Sequence, residues 1–202
     1  MGKVKLPVKI SPTGTTFKGY VKVMKIVYIV GSLAEDSINR RLAKELHDLA
    51  PEGVEMVEAS IKDLPLYSRD YDGDFPQVAR DFKALLGSAD GVVLVTPEHN
   101  RSFSAALHNA IEWSSRPYGE WALGGKPIAT IGASPSGIGT AAGQQTLRAM
   151  LQFFNVKLMG QPEGYINALT TGLAEGEANA DAKEFLKSWI GAFAEFVKEN
   201  TK

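Results

Sequence analysis

Residues 25–39 read Lys-Ile-Val-Tyr-Ile-Val-Gly-Ser-Leu-Ala-Glu-Asp-Ser-Ile-Asn. A β-branched apolar run ends on Gly31, passes through a polar loop and reaches Ser37, a residue type suited to capping a helix. The segment that follows sets Ile38, Leu42, Leu46 and Leu49 on one helical face. Strand, glycine turn and amphipathic helix make the first half of a βαβ unit.

The alternation continues outward. Apolar strand runs at residues 54–59, 92–96, 127–133 and, more briefly, 156–158 are interleaved with helix-length segments at about 75–88, 104–115, 140–154 and 181–198. The unbroken apolar run at 92–96 predicts a strand buried on both faces. In the last helix Phe185, Trp189, Ile190, Phe193 and Phe196 are expected to face inward, whereas residues 161–179 show no periodicity. Five strands with interleaved helices predict an α/β three-layer sandwich. No internal repeat or dividing linker is visible, so residues 25–202 read as one domain.

The chain has 202 residues, 44% of them hydrophobic, enough to bury a core without staples. It has no cysteine. That excludes a disulfide framework, Cys-ligated zinc, an iron–sulfur cluster and a thiol nucleophile, and leaves redox chemistry to a bound cofactor. His47, His99 and His108 do not fall at metal-site spacing, and no metal is expected.

The net charge of −1 is the sum of two unlike segments. Residues 1–24 hold Lys3, Lys5, Lys9, Lys18 and Lys22 and no acid, so residues 25–202 hold 17 basic against 23 acidic side chains, or −6. A mildly acidic body argues against a broad nucleic-acid-binding face. The basic head reads as a start-site artefact or a tolerated extension, with Met24-Lys25 opening the first natural strand. Its Val4, Leu6, Val8 and Ile10 alternate with lysines as a short added strand would. No run approaches the roughly 18 apolar residues of a membrane span, and a cytoplasmic location is expected.

In an open parallel sheet, ligands bind beyond the carboxyl ends of the strands, where strand order reverses. Three loops stand there. The first, 31–39, combines Gly31, the hydroxyls of Ser32 and Ser37, the amide of Asn39 and a helix start. Such a loop can hold a phosphate through neutral donors and the helix dipole, and equally reads as a helix cap with ordinary loop serines. It is neither a Walker loop nor a GxGxxG loop. The second, Thr96-Pro97-Glu98-His99-Asn100, makes a rigid polar turn whose amides could face the edge of a planar heterocycle, or it is a surface turn. The third, Ser134-Pro-Ser-Gly-Ile-Gly139, offers glycines for close approach and serine donors.

These motifs resemble the NADPH-dependent FMN reductase family, which includes chromate and quinone reductases. The family pattern Gly-Ser-Leu-Arg-x-x-Ser-x-Asn stands here as Gly31 to Asn39. Thr-Pro-Glu-Tyr-Asn stands as Thr96 to Asn100, and Leu-Lys-Asn-Ala-Ile-Asp-Trp as Leu107-His108-Asn109-Ala110-Ile111-Glu112-Trp113. Leu64-Pro65-Leu66-Tyr67 and Gly125-Lys126-Pro127 fit as well, and the likeness covers about residues 25–199.

The resemblance implies a flavodoxin-like fold, with a five-stranded parallel sheet in the order 2-1-3-4-5 and helices on both faces. It places Ser32, Leu33, Ser37 and Asn39 around an FMN phosphate and Pro97, Glu98, His99 and Asn100 along the isoalloxazine, with Ser134 near its other edge. It implies an FMN-dependent NAD(P)H oxidoreductase, with NADPH or NADH as co-substrate, that reduces quinones, chromate, azo compounds or free flavin by a two-electron ping-pong route. No side chain need be catalytic, because the flavin carries the hydride chemistry; His99 could assist proton delivery. Ala34 replaces the family arginine and His99 the family tyrosine, which leaves the choice between NADH and NADPH open. Trp113 is expected in the core or at a subunit contact. A homodimer or homotetramer is implied, with Tyr67, Tyr71, Tyr118 and Trp121 lining a neighbour's site or anchoring loops. The alternative is a flavodoxin-like electron carrier that binds FMN without NAD(P)H turnover, although a charge of −6 and His99 suit an open enzyme site better.

Overall fold

The computed structural model describes residues 3, 4 and 21–201. Lys3–Val4 pairs with Val21–Lys22 in a two-residue antiparallel ladder. Leu6, Val8 and Ile10 of the alternating head lie outside the described residues.

The main sheet is parallel. Its strands are β1 (Met24–Val30), β2 (Val54–Glu58), β3 (Gly91–Val95), β4 (Pro127–Ser134), β5 (Lys157–Leu158) and β6 (Gly164–Asn167). β2, β1, β3 and β4 lie side by side, and both β5 and β6 pair with the outer edge of β4. This is the 2-1-3-4-5 order, its fifth position filled by two short pieces in line. β5 pairs with Pro127 and Ile128, and β6 with residues from Ile131 to Ser134. The expected strand at 156–158 is therefore only the start of the edge. It resumes at Gly164, inside the stretch that showed no periodicity, because four residues after a proline are too few to print an alternation. Gly164 is required at the join, since a Cβ there would lie 2.6 Å from Ile131 Cγ1.

Alternate sheet residues serve opposite faces. Ile26, Val30, Val93, Val95, Ala129 and Ile131 pack under α1 (Ile38–Asp48) and α5 (Ala180–Asn200). Val27, Ile29, Val92, Leu94 and Ile128 pack under α2 (Gln77–Gly87), α3 (Ala105–Ser114) and α4 (Ala141–Leu151). The three layers follow from this alternation, and β3 is buried along its whole length, as its apolar run predicts. In α5, Trp189, Ile190 and Phe193 are buried and Phe196 packs at the margin, but Phe185 is 38% exposed and Leu186 takes the inward place expected of it. Among the described residues no helix is long and apolar enough to cross a membrane.

The crossover from β1 through α1 leads one way to β2, and the next, through α2, leads back past β1 to β3. The connections diverge beyond the carboxyl ends of β1 and β3, which leaves an open crevice there.

Candidate functional site

At this crevice the first two loops are joined. Gly31 N–H donates to Val95 O at 2.8 Å, continuing the β1–β3 ladder by one bond, and Ser104 Oγ donates to Gly31 O at 2.5 Å. The same hydroxyl accepts the Leu107 N–H at 3.2 Å, so Ser104 caps α3 while holding the end of β1. A Cβ at position 31 would come within 3.0 Å of Ser104 Oγ and 3.3 Å of Pro97 Cδ, which is why glycine stands there.

Beyond Gly31, Ser32 is half-buried, Leu33 is exposed and Ser37 is buried as the N-cap of α1. The Ser37 hydroxyl accepts the Arg40 N–H at 3.3 Å, and no acid occupies the first turn of the helix. Asn39 is buried and gives its amide to β4: Nδ2 donates to Ala133 O and Oδ1 accepts the Ala133 N–H, both at 2.9 Å. The loop has two acids of its own, Glu35 and Asp36. Arg41 pairs with Asp36 and also donates to the carbonyls of Leu173 and Ala174 at 3.0 Å, tying this loop to the one after β6.

The second loop is a hairpin. Glu98–His99 pairs antiparallel with Ser102–Phe103 around Asn100 and Arg101, whose φ values of 51° and 64° are those of a two-residue I′ turn. Pro97 is buried at its base, and Thr96 Oγ1 bonds Pro97 O at 2.8 Å. His99 and Asn100 are exposed at the tip. The Glu98 side chain bonds both α4 and the turn itself. Its Oε2 accepts the Gly143 N–H of α4 at 2.9 Å and its Oε1 accepts Arg101 Nη1 at 3.1 Å. Both carboxylate oxygens of Glu98, a residue expected along a cofactor ring, are thus bonded within the protein.

The third loop is closed on itself. Ser134 Oγ donates to Gly139 O at 2.6 Å and Ser136 Oγ donates to the same carbonyl at 3.0 Å. Gly139 has a φ of 58°, and a Cβ on it would lie 2.8 Å from the Tyr165 carbonyl carbon. The structure therefore gathers all three predicted loops at one end of the sheet.

A model of the NADPH-dependent FMN reductase family matches residues 24–170. This chain belongs to that family. It is 44% identical over 178 residues to a 2-hydroxy-1,4-benzoquinone reductase of a Burkholderia species, covering 87% of this chain and 97% of that one. A quinone reductase of Pseudomonas putida is 38% identical over 181 residues, 89% and 97% of the two chains. Among solved structures, the flavoenzyme NAD(P)H:(acceptor) oxidoreductase FerB of Paracoccus denitrificans superposes with a TM-score of 0.82 at 36% identity, over 88% of this chain and 99% of its own.

As an FMN reductase the chain is an NAD(P)H-dependent oxidoreductase with FMN as its cofactor, and the crevice fits that group. Three helices begin at it, each with one early N–H group engaged: α1 by its cap Ser37, α3 by its cap Ser104 and α4 by the Glu98 carboxylate. The start of α1, with Ser37 and no acid in its first turn, matches a phosphate in charge and in donors. Of the loop's two acids, Asp36 is paired with Arg41.

Sequence reasoning missed Arg41, Ser104 and Gly143 in this FMN reductase. Two of them left signals: Ser104 is a cap residue type at the start of the expected 104–115 helix, and Gly143 is a glycine in the first turn of an otherwise helix-favouring segment. Trp113 is fully buried, its Nε1 bonded to Pro65 O at 2.7 Å and its rings against Tyr67, Tyr71 and Phe75. Asn109 accepts the Tyr67 N–H and donates to Pro65 O, so Tyr67 and Tyr71 are loop anchors held on α3.

Proposed function

We propose that this enzyme reduces quinones by two electrons at the expense of NAD(P)H, with chromate, azo compounds and free flavin as further acceptors. The observation that carries the reading is the crevice at the switch point, where the loop holding Ser32 and Ser37 leads into the start of α1, with no acid in the first turn of the helix. FMN held there would supply the hydride-accepting and two-electron-donating chemistry. The chain's own part is placement. Ser32, Ser37 and the backbone N–H groups around Leu33 bind the phosphate, and Asn39 braces them against β4. The backbone of Pro97 and Glu98, with Asn100 and His99, lies along the ring edge, and the Ser134 loop bounds its other side. His99 is exposed and can pass a proton to a reduced quinone.

Steady-state oxidation of NADH and NADPH with a benzoquinone tests the reading. Parallel double-reciprocal lines are expected, since both substrates use one place in turn. Negligible turnover by FMN-loaded protein would leave an electron carrier instead.

The finer assignments belong to the same proposal. Residues 25–202 form the FMN-binding domain and residues 1–24 a dispensable extension, supported by the family match beginning at residue 24. A cytoplasmic location follows from the need for NAD(P)H, and the mildly acidic body makes nucleic acid no partner. A homodimer or homotetramer is supported by the exposed rings of Tyr118 and Phe153, which flank Trp121 at centroid distances of 6.0 and 5.1 Å.

A further inference from the structure

We infer that Glu98 is a positioning residue: its carboxylate, seated on the start of α4, sets where the tip of the Glu98–Phe103 hairpin stands relative to the flavin ring. The inference rests on the flavoenzyme reading above and adds to it a device for holding the ring contacts.

A hairpin with two cross-strand pairs, Glu98 with Phe103 and His99 with Ser102, cannot hold its own orientation in water. Its orientation must come from what it docks on, and three observations identify the dock. The Glu98 side chain is 7% exposed, with one oxygen on Gly143 N–H and the other on the Arg101 guanidinium. α4 has no cap of its own: Thr140 makes no side-chain bond to the helix backbone and instead accepts Gln144 Nε2 at 2.8 Å. The hairpin also lies directly on the helix backbone, because a Cβ at Gly143 would stand 2.9 Å from Ser102 O and 3.3 Å from Glu98 Cγ. On the other side, Phe103 stacks on His108 of α3 with centroids 5.6 Å apart.

A carboxylate at a helix N-terminus is favoured by the dipole and by the charge-assisted bond to the N–H. Glu98 therefore acts twice. It supplies the missing cap and it fixes the I′ turn, leaving Asn100 and His99 projected from a platform that is set before any ligand arrives.

Riboflavin has the ring without the phosphate, so it reports the platform alone. The experiment is fluorescence-quench titration of FMN and of riboflavin into Glu98→Ala, Glu98→Gln, Gly143→Ala and Ser37→Ala. In parallel, amide hydrogen exchange of residues 98–103 is measured in the ligand-free variants. Glu98→Ala is expected to weaken both ligands by the same factor, about tenfold, and to speed exchange in the hairpin. Glu98→Gln, which can still accept the Gly143 N–H, should recover most of both. Gly143→Ala should reproduce the loss with the carboxylate intact, and Ser37→Ala should weaken FMN only. Unchanged riboflavin affinity in Glu98→Ala, a loss confined to FMN, or unchanged hairpin exchange would overturn the inference. If the unmodified protein quenches neither flavin, the flavoenzyme reading falls, and the exchange measurement still decides whether Glu98 holds the hairpin.

Discussion

Asn39 and Ala133, 94 residues apart, exchange two hydrogen bonds of 2.9 Å each. Thr96 N–H to Ile131 O is the last bond of the β3–β4 ladder, and β4 runs on beyond it. Two residues further, Ala133 turns its N–H and C=O to the same side with no strand to meet. One side-chain amide, carrying a donor and an acceptor in the geometry of a peptide, completes the ladder there and pins the start of α1 to the sheet.

Replacing Asn39 should therefore cost stability before it costs binding. Asn39→Ala strands two buried backbone groups and is expected to lower the unfolding free energy by about 2–4 kcal/mol. Asn39→Asp should be no better, because a carboxylate cannot donate to Ala133 O. Urea denaturation measures this; an Asn39→Ala protein as stable as its parent would mean that water replaces the amide.

Ser37 should behave differently. Ser37→Ala removes a helix cap worth about 1 kcal/mol and a donor beside the phosphate position. Paired with Ser32→Ala, it is expected to weaken FMN about tenfold or more and riboflavin hardly at all. Equal losses for the two flavins would place the phosphate elsewhere.

Trp113 anchors the loop that carries Tyr67 and Tyr71. Trp113→Ala should cost about 3–5 kcal/mol through the cavity it leaves among three aromatic rings. Trp113→Phe should cost less, since Asn109 Nδ2 still donates to Pro65 O at 2.9 Å. Thermal unfolding of the two variants gives the order, and a Phe variant as unstable as the Ala variant would show that the Nε1 bond outweighs the packing.

Tyr28 provides a prediction in pH. Burial, and then the nearby Glu58 carboxylate, raise its phenol above the ordinary value of 10.0, as burial also does for Tyr67 and Tyr165. The folded chain then keeps a proton that the unfolded chain has released. This contribution is complete below pH 10.0 and is lost as pH rises through the folded value. Burial of Lys83 and Lys126 lowers their values and acts in the opposite sense, so the total curve mixes both. The difference between Tyr28→Phe and its parent isolates the phenol. It should be flat from neutral pH to 10.0 and turn in favour of phenylalanine above it; a flat difference throughout would refute the shift.

Much of the site was legible because its signals are local. Gly31, Ser37 and Pro97 declare a turn, a cap and a rigid strand end by residue type, and periodicity sets each of them at the end of a strand. The partners of Glu98 and Asn39 were not legible for one reason: Gly143 and Ala133 are 45 and 94 residues away, and a polar side chain in a loop looks the same whether it faces a ligand or a backbone. The edge strand at Gly164–Asn167 was hidden for a related reason, since its register comes from β4 and not from its own four residues.

The sequence by itself determined the α/β class, the alternation of strands with helices, the exclusion of thiol chemistry by the lack of cysteine, and the three loops that follow strand ends. Those follow from period, composition and turn chemistry, which act over a few residues. Only the tertiary structure decided what meets each helix start. α1 and α3 are capped by their own N-cap serines, whereas α4 takes a carboxylate from 45 residues away, which depends on what long-range packing brings to it, and no local pattern encodes that.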